Sequence, residues 1–175
     1  MRTAKFIAVT ALFTALLIAA QFALSGVAGV ELVTVLLLSF SFATGIRYGV
    51  TGAACFSLLR CFLFGFYPTV IILYLIYYPS FALFFGFLGN KSKRKITPAL
   101  FVAVVIFAAA FTACFSLLDD VITPLFFGFG KDAFIAYFYS SLPFMLTQVI
   151  CAAVSVCAFF LPLAKVFAVA VKRAD

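Results

Sequence analysis

The sequence predicts an all-α integral membrane protein, a bundle of six transmembrane helices with both termini in the cytoplasm. Apolar residues make up 67% of the chain and charged residues only 10%, whereas soluble domains are about half apolar and a quarter charged. Turn-forming and charged stretches divide the chain into six apolar segments, and a helix of about 20 residues crosses a bilayer core. The 175 residues therefore form a single membrane domain, with no room for a separate soluble domain.

The six apolar segments are separated by stretches rich in glycine, proline, asparagine or charge, which end or redirect helices. We place the spans at 4–25, 31–46, 48–66, 69–89, 98–118 and 142–164. The second span is short, and we expect its outer end to be irregular. The apolar stretch that begins at Phe6 is too long for the core of a cleaved signal peptide, so we expect the first span to be retained.

The distribution of charge predicts the orientation, because cytoplasmic loops of membrane proteins are enriched in lysine and arginine. With both termini inside, four of the five acidic residues lie outside and ten of the twelve basic residues lie inside. Those ten are Arg2, Lys5, Arg47, Lys91, Lys93, Arg94, Lys95, Lys165, Lys172 and Arg173. We expect the run at 90–95 to anchor this topology or to contact anionic lipid headgroups or a cytoplasmic partner. We do not expect it to bind nucleic acid.

The segment 119–141 is predicted to be a long outer loop. It is too long for a tight turn and unusually apolar for a solvated loop, and long connections of this kind are often lids or binding loops. Its aromatic residues, Tyr137 among them, either pack over a pocket at the outer surface or form a belt at the membrane interface. We interpret Asp119 and Asp120 as a solvated helix end rather than a metal site.

Catalytic and metal-binding motifs are absent from the sequence. The chain has no histidine and five cysteines, all in apolar segments and none in a CxxC pair, which argues against a zinc site or a disulfide framework. No GxSxG motif, HExxH motif or Walker lysine loop occurs. We therefore predict no catalytic residue, no metal and no cofactor. Without an ATPase motif, the chain does not energise transport by itself.

Two charged residues, Glu31 and Arg60, lie at the edge of or within apolar spans. Arg60 is well inside the third span, where a cation is costly unless it pairs, snorkels, or faces water or a ligand. Glu31 begins the second span, where a carboxylate gains from the positive end of the helix dipole. Both are predicted at outer depth, so they either pair with each other or contact a ligand.

Polar aromatic residues gather around the fourth span. Tyr67 precedes it, and Tyr74 and Tyr78 share one helix face at a spacing of four residues. Tyrosine hydroxyls in mid-span need hydrogen-bond partners, and the amide of Gln148 in the sixth span has the same need. These side chains either join helices to one another or, together with Arg60 and Glu31, form a polar pocket in the outer half of the bundle.

An alanine stripe runs along the first span. Its members are Ala4, Ala8, Ala11, Ala15 and Ala19, which fall on one helix face because each residue advances a helix by about 100°. Small residues at this spacing let another helix approach closely in lipid, where hydrophobicity alone does not drive association. The stripe therefore packs against a helix of this chain or of a partner.

The sequence resembles, over nearly its whole length, the substrate-binding S component of an energy-coupling factor (ECF) transporter. The six spans with both ends inside and the pattern Ala11-x-x-x-Ala15-x-x-x-Ala19 carry this resemblance. The stretches VELVT at 30–34 and YLIYYP at 74–79 are also similar to sequences of such proteins.

The resemblance implies a receptor in a bacterial plasma membrane that binds a vitamin or related micronutrient outside. It also implies docking onto a membrane coupling subunit served by two cytoplasmic ATPases, through Ala11, Ala15 and Ala19 with Ala8 beside them. The candidate ligand-binding residues are Glu31, Arg60, Tyr67, Tyr74, Tyr78, Tyr137 and Gln148. The chain has no tryptophan and no signature for a particular vitamin, so the ligand stays open.

Two other functions compete with a binding subunit. The clustered tyrosines, Arg60 and the Asp119–Asp120 pair also fit a small intramembrane enzyme of lipid metabolism. A structural membrane subunit without a ligand fits the same composition. Ligand retained on gently purified protein distinguishes a receptor from both.

Overall fold

The computed structural model describes residues 2–26 and 32–173, and all secondary structure in them is α-helical. There are six helices: α1 Arg2–Leu24, α2 Val33–Thr44, α3 Ile46–Phe64, α4 Pro68–Lys91, α5 Pro98–Phe126 and α6 Lys131–Arg173. The predicted all-α bundle is confirmed for these residues. Five of the helices are long and apolar enough to cross a membrane. Helix α2 is apolar but too short to do so.

Helix α2 is the centre of the bundle rather than a full span. All twelve of its residues are buried, and it packs against α6, α4, α3 and α1. At 1.5 Å per residue it is about 18 Å long, well short of the roughly 30 Å hydrocarbon core of a bilayer. The apolar composition of this segment therefore reflects contact with other helices, a cause that the sequence alone does not separate from contact with lipid.

A joint between α2 and α3 depends on close backbone contact with α4. Gly45 joins the two helices with φ +97°, a conformation that favours glycine. A Cβ atom at Gly86 would lie 2.8 Å from the Cα atom of Ile46, and one at Gly89 would overlap the carbonyl oxygen of Phe42. The joint is also capped, because the Arg94 guanidinium donates a hydrogen bond to the carbonyl oxygen of Thr44 at 3.2 Å.

The predicted outer loop at 119–141 is wrong, because nearly all of this segment is helical. Helix α5 continues to Phe126, α6 begins at Lys131, and the turn between them contains Gly128 with φ +66°. The reason is a buried face of α5 that repeats every four residues and passes through the acidic pair without a break. Its members are Val104, Ala108, Thr112, Ser116, Asp120 and Pro124.

The two ends of the bundle differ in charge. At one, here called the basic end, the Arg47 guanidinium lies 5.0 Å from the ring centre of Phe6, and Arg94 caps α2. The opposite end, here called the cavity end, holds the C-terminal parts of α1, α3 and α5 and the N-terminal parts of α2, α4 and α6. That the basic end faces the cytoplasm stays a prediction of the charge distribution.

Candidate functional site

A polar cavity of about 180 Å³ opens between five helices at the cavity end. The end of α1, the start of α2, and facing sides of α4, α5 and α6 form its walls. Because it contains two glutamine amides, we call it the amide cavity. Its lining residues are Ala20, Gln21, Leu24, Ser25, Leu32, Val33, Tyr74, Tyr78, Phe115 and Gln148.

Aromatic rings form one side of the amide cavity. The ring centres of Tyr74 and Tyr78, one helical turn apart on α4, are 4.9 Å from each other. Phe115 on α5 lies 5.6 Å from Tyr74 and 6.2 Å from Tyr78, and Tyr78 packs edge-on against Phe56 of α3 at 5.2 Å. Rings in contact on several sides have little rotational freedom, so this wall is rigid.

The two amides are placed differently. The Oε1 atom of Gln148 accepts a hydrogen bond of 2.9 Å from the Ser116 hydroxyl, which leaves its amide N–H groups available as donors. The Oε1 atom of Gln21 is buried and has no hydrogen-bond partner among the described residues. A buried acceptor without a donor costs free energy, so a group that donates to Gln21 would be stabilising.

Arg60 lies behind the aromatic wall rather than in the lining of the cavity. Its guanidinium carbon is 4.1 Å from the ring centre of Tyr74 and 5.2 Å from that of Phe64, two cation–π contacts that help to hold a cation in an apolar setting. Its Nε atom is buried without a hydrogen-bond partner in the described part of the chain. Glu31 lies outside the described residues, so pairing of Arg60 with Glu31 stays a prediction.

A second cavity of about 170 Å³ adjoins the first. We call it the carboxylate cavity, because its lining contains both aspartates of the predicted helix end: Phe115, Ser116, Asp119, Asp120, Tyr137, Ser141, Phe144, Met145 and Gln148. Phe115 and Gln148 line both cavities. The two spaces are thus neighbours that share one wall.

The predicted solvated helix end is wrong for Asp120. This residue is only 5% exposed, and its Oδ2 atom accepts a hydrogen bond of 2.6 Å from the Ser141 hydroxyl of α6. Asp119 accepts a hydrogen bond of 2.8 Å from Thr123, one turn further along α5. The polar partners that replace water are therefore supplied by the two helices themselves.

The structure brings together several of the residues singled out in the sequence. Tyr74, Tyr78 and Gln148 surround the amide cavity, and Tyr137 lines the carboxylate cavity. Tyr67 lies apart from both, 60% exposed at the start of α4.

Sequence reasoning missed Gln21 as a cavity residue and missed the role of Phe115, Ser116 and Ser141. A signal for α5 was present, since a row of small and polar residues recurs there every four positions and such a row lies on one helix face. Gln21 had no comparable signal, because it is a single amide in an apolar segment and its neighbours across the cavity come from other helices.

The alanine stripe faces away from the bundle. Ala8, Ala11, Ala15 and Ala19 are all exposed, as is Ala4. Helix α1 packs into the bundle with the neighbouring face instead, burying Thr10, Phe13, Thr14 and Leu17. The ring of Phe13 stacks on Phe40 of α2 at 3.6 Å between centres. Among the described residues, the stripe is therefore exposed rather than part of the buried core.

An apolar groove borders the stripe. It has a volume of about 330 Å³ and runs between α1 and α3, with Ala11, Ala15, Cys55 and Leu59 among its lining residues.

The part of the chain that the structure describes contains no cluster of three or more histidine, cysteine, aspartate or glutamate side chains suited to a metal ion. The polar and aromatic groups that the described residues bring to the two cavities are amides, hydroxyls, aromatic rings and two carboxylates.

No protein family, curated protein or solved structure matches this chain. Assignment of a function consequently rests on the residues themselves.

Proposed function

We propose that this chain is the substrate-binding S component of an ECF-type importer. In this role it captures a small molecule, a vitamin or related micronutrient, at its cavity end. It then docks on a membrane coupling subunit that two cytoplasmic ATPases drive. The chain needs such partners, because its sequence has no ATPase motif of its own.

The observation that carries the proposal is that α1 has an exposed alanine face and, near its C-terminal end, residues that line the amide cavity. One face carries the exposed residues Ala8, Ala11, Ala15 and Ala19, while the last turns of the same helix contribute Ala20 and Gln21 to the amide cavity. Small-residue faces are the surfaces on which membrane helices associate closely. A single helix thus offers a partner surface and a ligand contact.

This arrangement supplies a physical link between the two events. Ala19 and Gln21 are two positions apart on a continuous helix and point about 200° apart around its axis, so a partner helix seated on the stripe contacts the side of α1 opposite the cavity. Movement of α1 on docking would displace Gln21 relative to Tyr74 and Gln148 on the facing helices. The affinity for ligand would then change with docking, as coupling between two sites requires.

The charge distribution favours the direction of transport. Positive charge at the basic end predicts that this end faces the cytoplasm, and the amide cavity then opens near the outer surface. Capture from outside follows from that orientation.

The test is co-purification from the native membrane, followed by uptake measurements with whatever molecule the purified protein retains. We expect ATPase subunits to co-purify with the unaltered chain, and we expect an Ala11→Trp, Ala15→Trp double variant to lose them. The reason is that two large rings on the stripe prevent close helix approach. Ligand retention should persist in the variant, because the cavity is untouched.

The matched control is Leu12→Trp, one position from the stripe and 73% exposed on another face of α1. It adds the same ring to the same helix and should leave co-purification and uptake intact. Retention of ATPase subunits by the double variant, or their absence from the unaltered protein, would overturn the proposal.

A further inference from the structure

The described lining of the amide cavity carries no charged side chain. The Arg60 guanidinium lies against Tyr74 behind the wall, and the aspartates line the neighbouring cavity. A charged ligand group transferred from water into such a space loses its hydration without gaining a counter-charge. The part of the lining that the structure describes therefore favours a neutral molecule.

The two amides of the cavity favour a ligand that has both a hydrogen-bond donor and an acceptor. The buried Oε1 atom of Gln21 lacks a donor among the described residues. The Oε1 atom of Gln148 is already engaged by Ser116, so this amide offers N–H groups that require an acceptor. A ligand edge with an N–H group beside a carbonyl or ring-nitrogen acceptor satisfies both amides, and leaving either unmatched costs affinity.

The walls favour a flat ring. Tyr74, Tyr78 and Phe115 are in mutual contact and present aromatic surface on one side of a cavity of about 180 Å³. Planar rings gain from stacked or edge-on contact with such surfaces. One ring with a small polar substituent is of a size to occupy the space, which far exceeds the roughly 10–15 Å³ needed by one water molecule.

We propose that the amide cavity binds a small, planar, uncharged heterocycle that carries an amide-like edge, with its N–H group donating to Gln21 and its acceptor facing Gln148. This inference rests on the proposed function in that it names the substrate class for the same cavity.

The experiment compares three pyridine compounds that share one ring and differ in charge. Pyridine-3-carboxamide is neutral and has an amide edge, pyridine-3-carboxylate is an anion, and 1-methylpyridinium-3-carboxamide is a cation. Each is added over a concentration series to the purified full-length protein in detergent, and the thermal unfolding midpoint is recorded. We expect the neutral carboxamide to raise the midpoint at lower concentration than either ion does.

Each other outcome overturns the proposal and indicates a different chemistry. Preference for the carboxylate would assign ligand recognition to Arg60. Preference for the cation would assign it to the carboxylate cavity. Absence of a shift with all three compounds would show that the amide cavity does not take this class of ligand.

A substitution at Gln21 tests whether this residue accepts the hydrogen bond from the ligand. Gln21→Leu removes the acceptor at similar size, and we expect affinity for pyridine-3-carboxamide to fall about 10-fold, because the N–H group of the bound ligand loses its partner. Gln21→Met is the second variant, for use if the leucine variant does not fold. The matched control is Thr10→Val on the same helix but outside the amide cavity, which removes a buried hydroxyl oxygen that has no hydrogen-bond partner among the described residues. Affinity equal to that of the unaltered protein in a folded Gln21 variant would contradict the proposal.

Failure of this inference and failure of the proposed function have different signatures. A charged molecule retained by a protein that co-purifies with ATPase subunits would refute the substrate class and leave the importer function intact. Binding of the neutral carboxamide by a protein without ATPase partners would do the reverse.

Discussion

The basic end and the cavity end of this bundle are packed by opposite means. At the basic end, Gly86 and Gly89 let the backbone of α4 touch the joint between α2 and α3. At the cavity end, large aromatic side chains and two amides hold the helices apart, and spaces of about 180 and 170 Å³ remain between them. The basic end thus relies on backbone contacts that leave no room for a side chain at Gly86 or Gly89, whereas the cavity end contains two open cavities.

This difference suggests how a mostly apolar bundle combines stability with binding. Close helix contact gains dispersion energy over many atoms, whereas an open cavity forfeits such contacts and costs stability. If close packing at the basic end stabilises the fold and the open cavities at the other end reduce that stability, substitutions at the two ends should differ in their effects. Those at the basic end should change mainly the free energy of unfolding, and those at the cavity end should also change ligand binding.

The largest effect is expected from adding one methyl group at the basic end. Gly89→Ala should lower the free energy of unfolding by about 2 kcal/mol or more, because the new Cβ atom meets the backbone of Phe42 and backbone atoms yield little. Helix propensity alone predicts the opposite sign, a gain of up to about 1 kcal/mol. Unfolding in mixed micelles measures the difference.

Gly130→Ala is the control for this change. No heavy atom lies within 4 Å of the position that its Cβ atom would occupy, so the free energy of unfolding should change little. A more stable Gly89→Ala protein would show that the contact between α4 and the α2–α3 joint does not limit packing.

The helices of this bundle were largely predictable, and the failures have identifiable causes. Runs of apolar residues between turn-forming stretches predicted α1, α3 and α4, since a span requires little more than length and apolarity. The same reasoning mistook α2 for a span, because residues buried in protein and residues facing lipid are equally apolar. It also ended the fifth span before Asp119, because the partner that accommodates Asp120 is Ser141, on a different helix.

The candidate site was predictable only where a polar residue stood out within an apolar span. Tyr74, Tyr78 and Gln148 met that condition, and the structure places them around one cavity. Phe115 did not, because one phenylalanine among 26 has no distinguishing pattern. Its position between the two cavities follows from how α5 packs against α4 and α6, which is a tertiary property.

The second prediction concerns that shared wall. Phe115→Ala should cost about 1–2 kcal/mol of unfolding free energy. The ring contacts Tyr74, Tyr77 and Tyr78, but Phe115 is only partly buried, so the loss falls below the range for a fully buried aromatic side chain. The substitution should also weaken binding of a planar ligand, since the amide and carboxylate cavities would merge. Unfolding and ligand titrations on the same preparation measure both effects.

Phe87→Ala is the matched control, because Phe87 lies on α4 with its ring 55% exposed on the outside of the bundle. Detergent or lipid replaces the lost contacts there, so we expect a loss below about 1 kcal/mol and unchanged binding. Equal losses in the two variants would mean that Phe115 is no more important to packing than a surface ring.

The smallest effect is expected from the polar cap at the basic end. Arg94→Gln removes a charged donor from the carbonyl oxygen of Thr44 at the C-terminus of α2, where positive charge also interacts favourably with the helix dipole. We expect a loss of about 0.5–1 kcal/mol, measured by the same unfolding titration, and no change in ligand affinity. Lys95→Gln removes an exposed charge from the same turn and should cost less. A change in ligand affinity on Arg94→Gln would contradict the separation of the two ends. Leu32 and Val33, at the opposite end of α2, line the amide cavity. Such a change would mean that loss of the cap alters the structure at that opposite end.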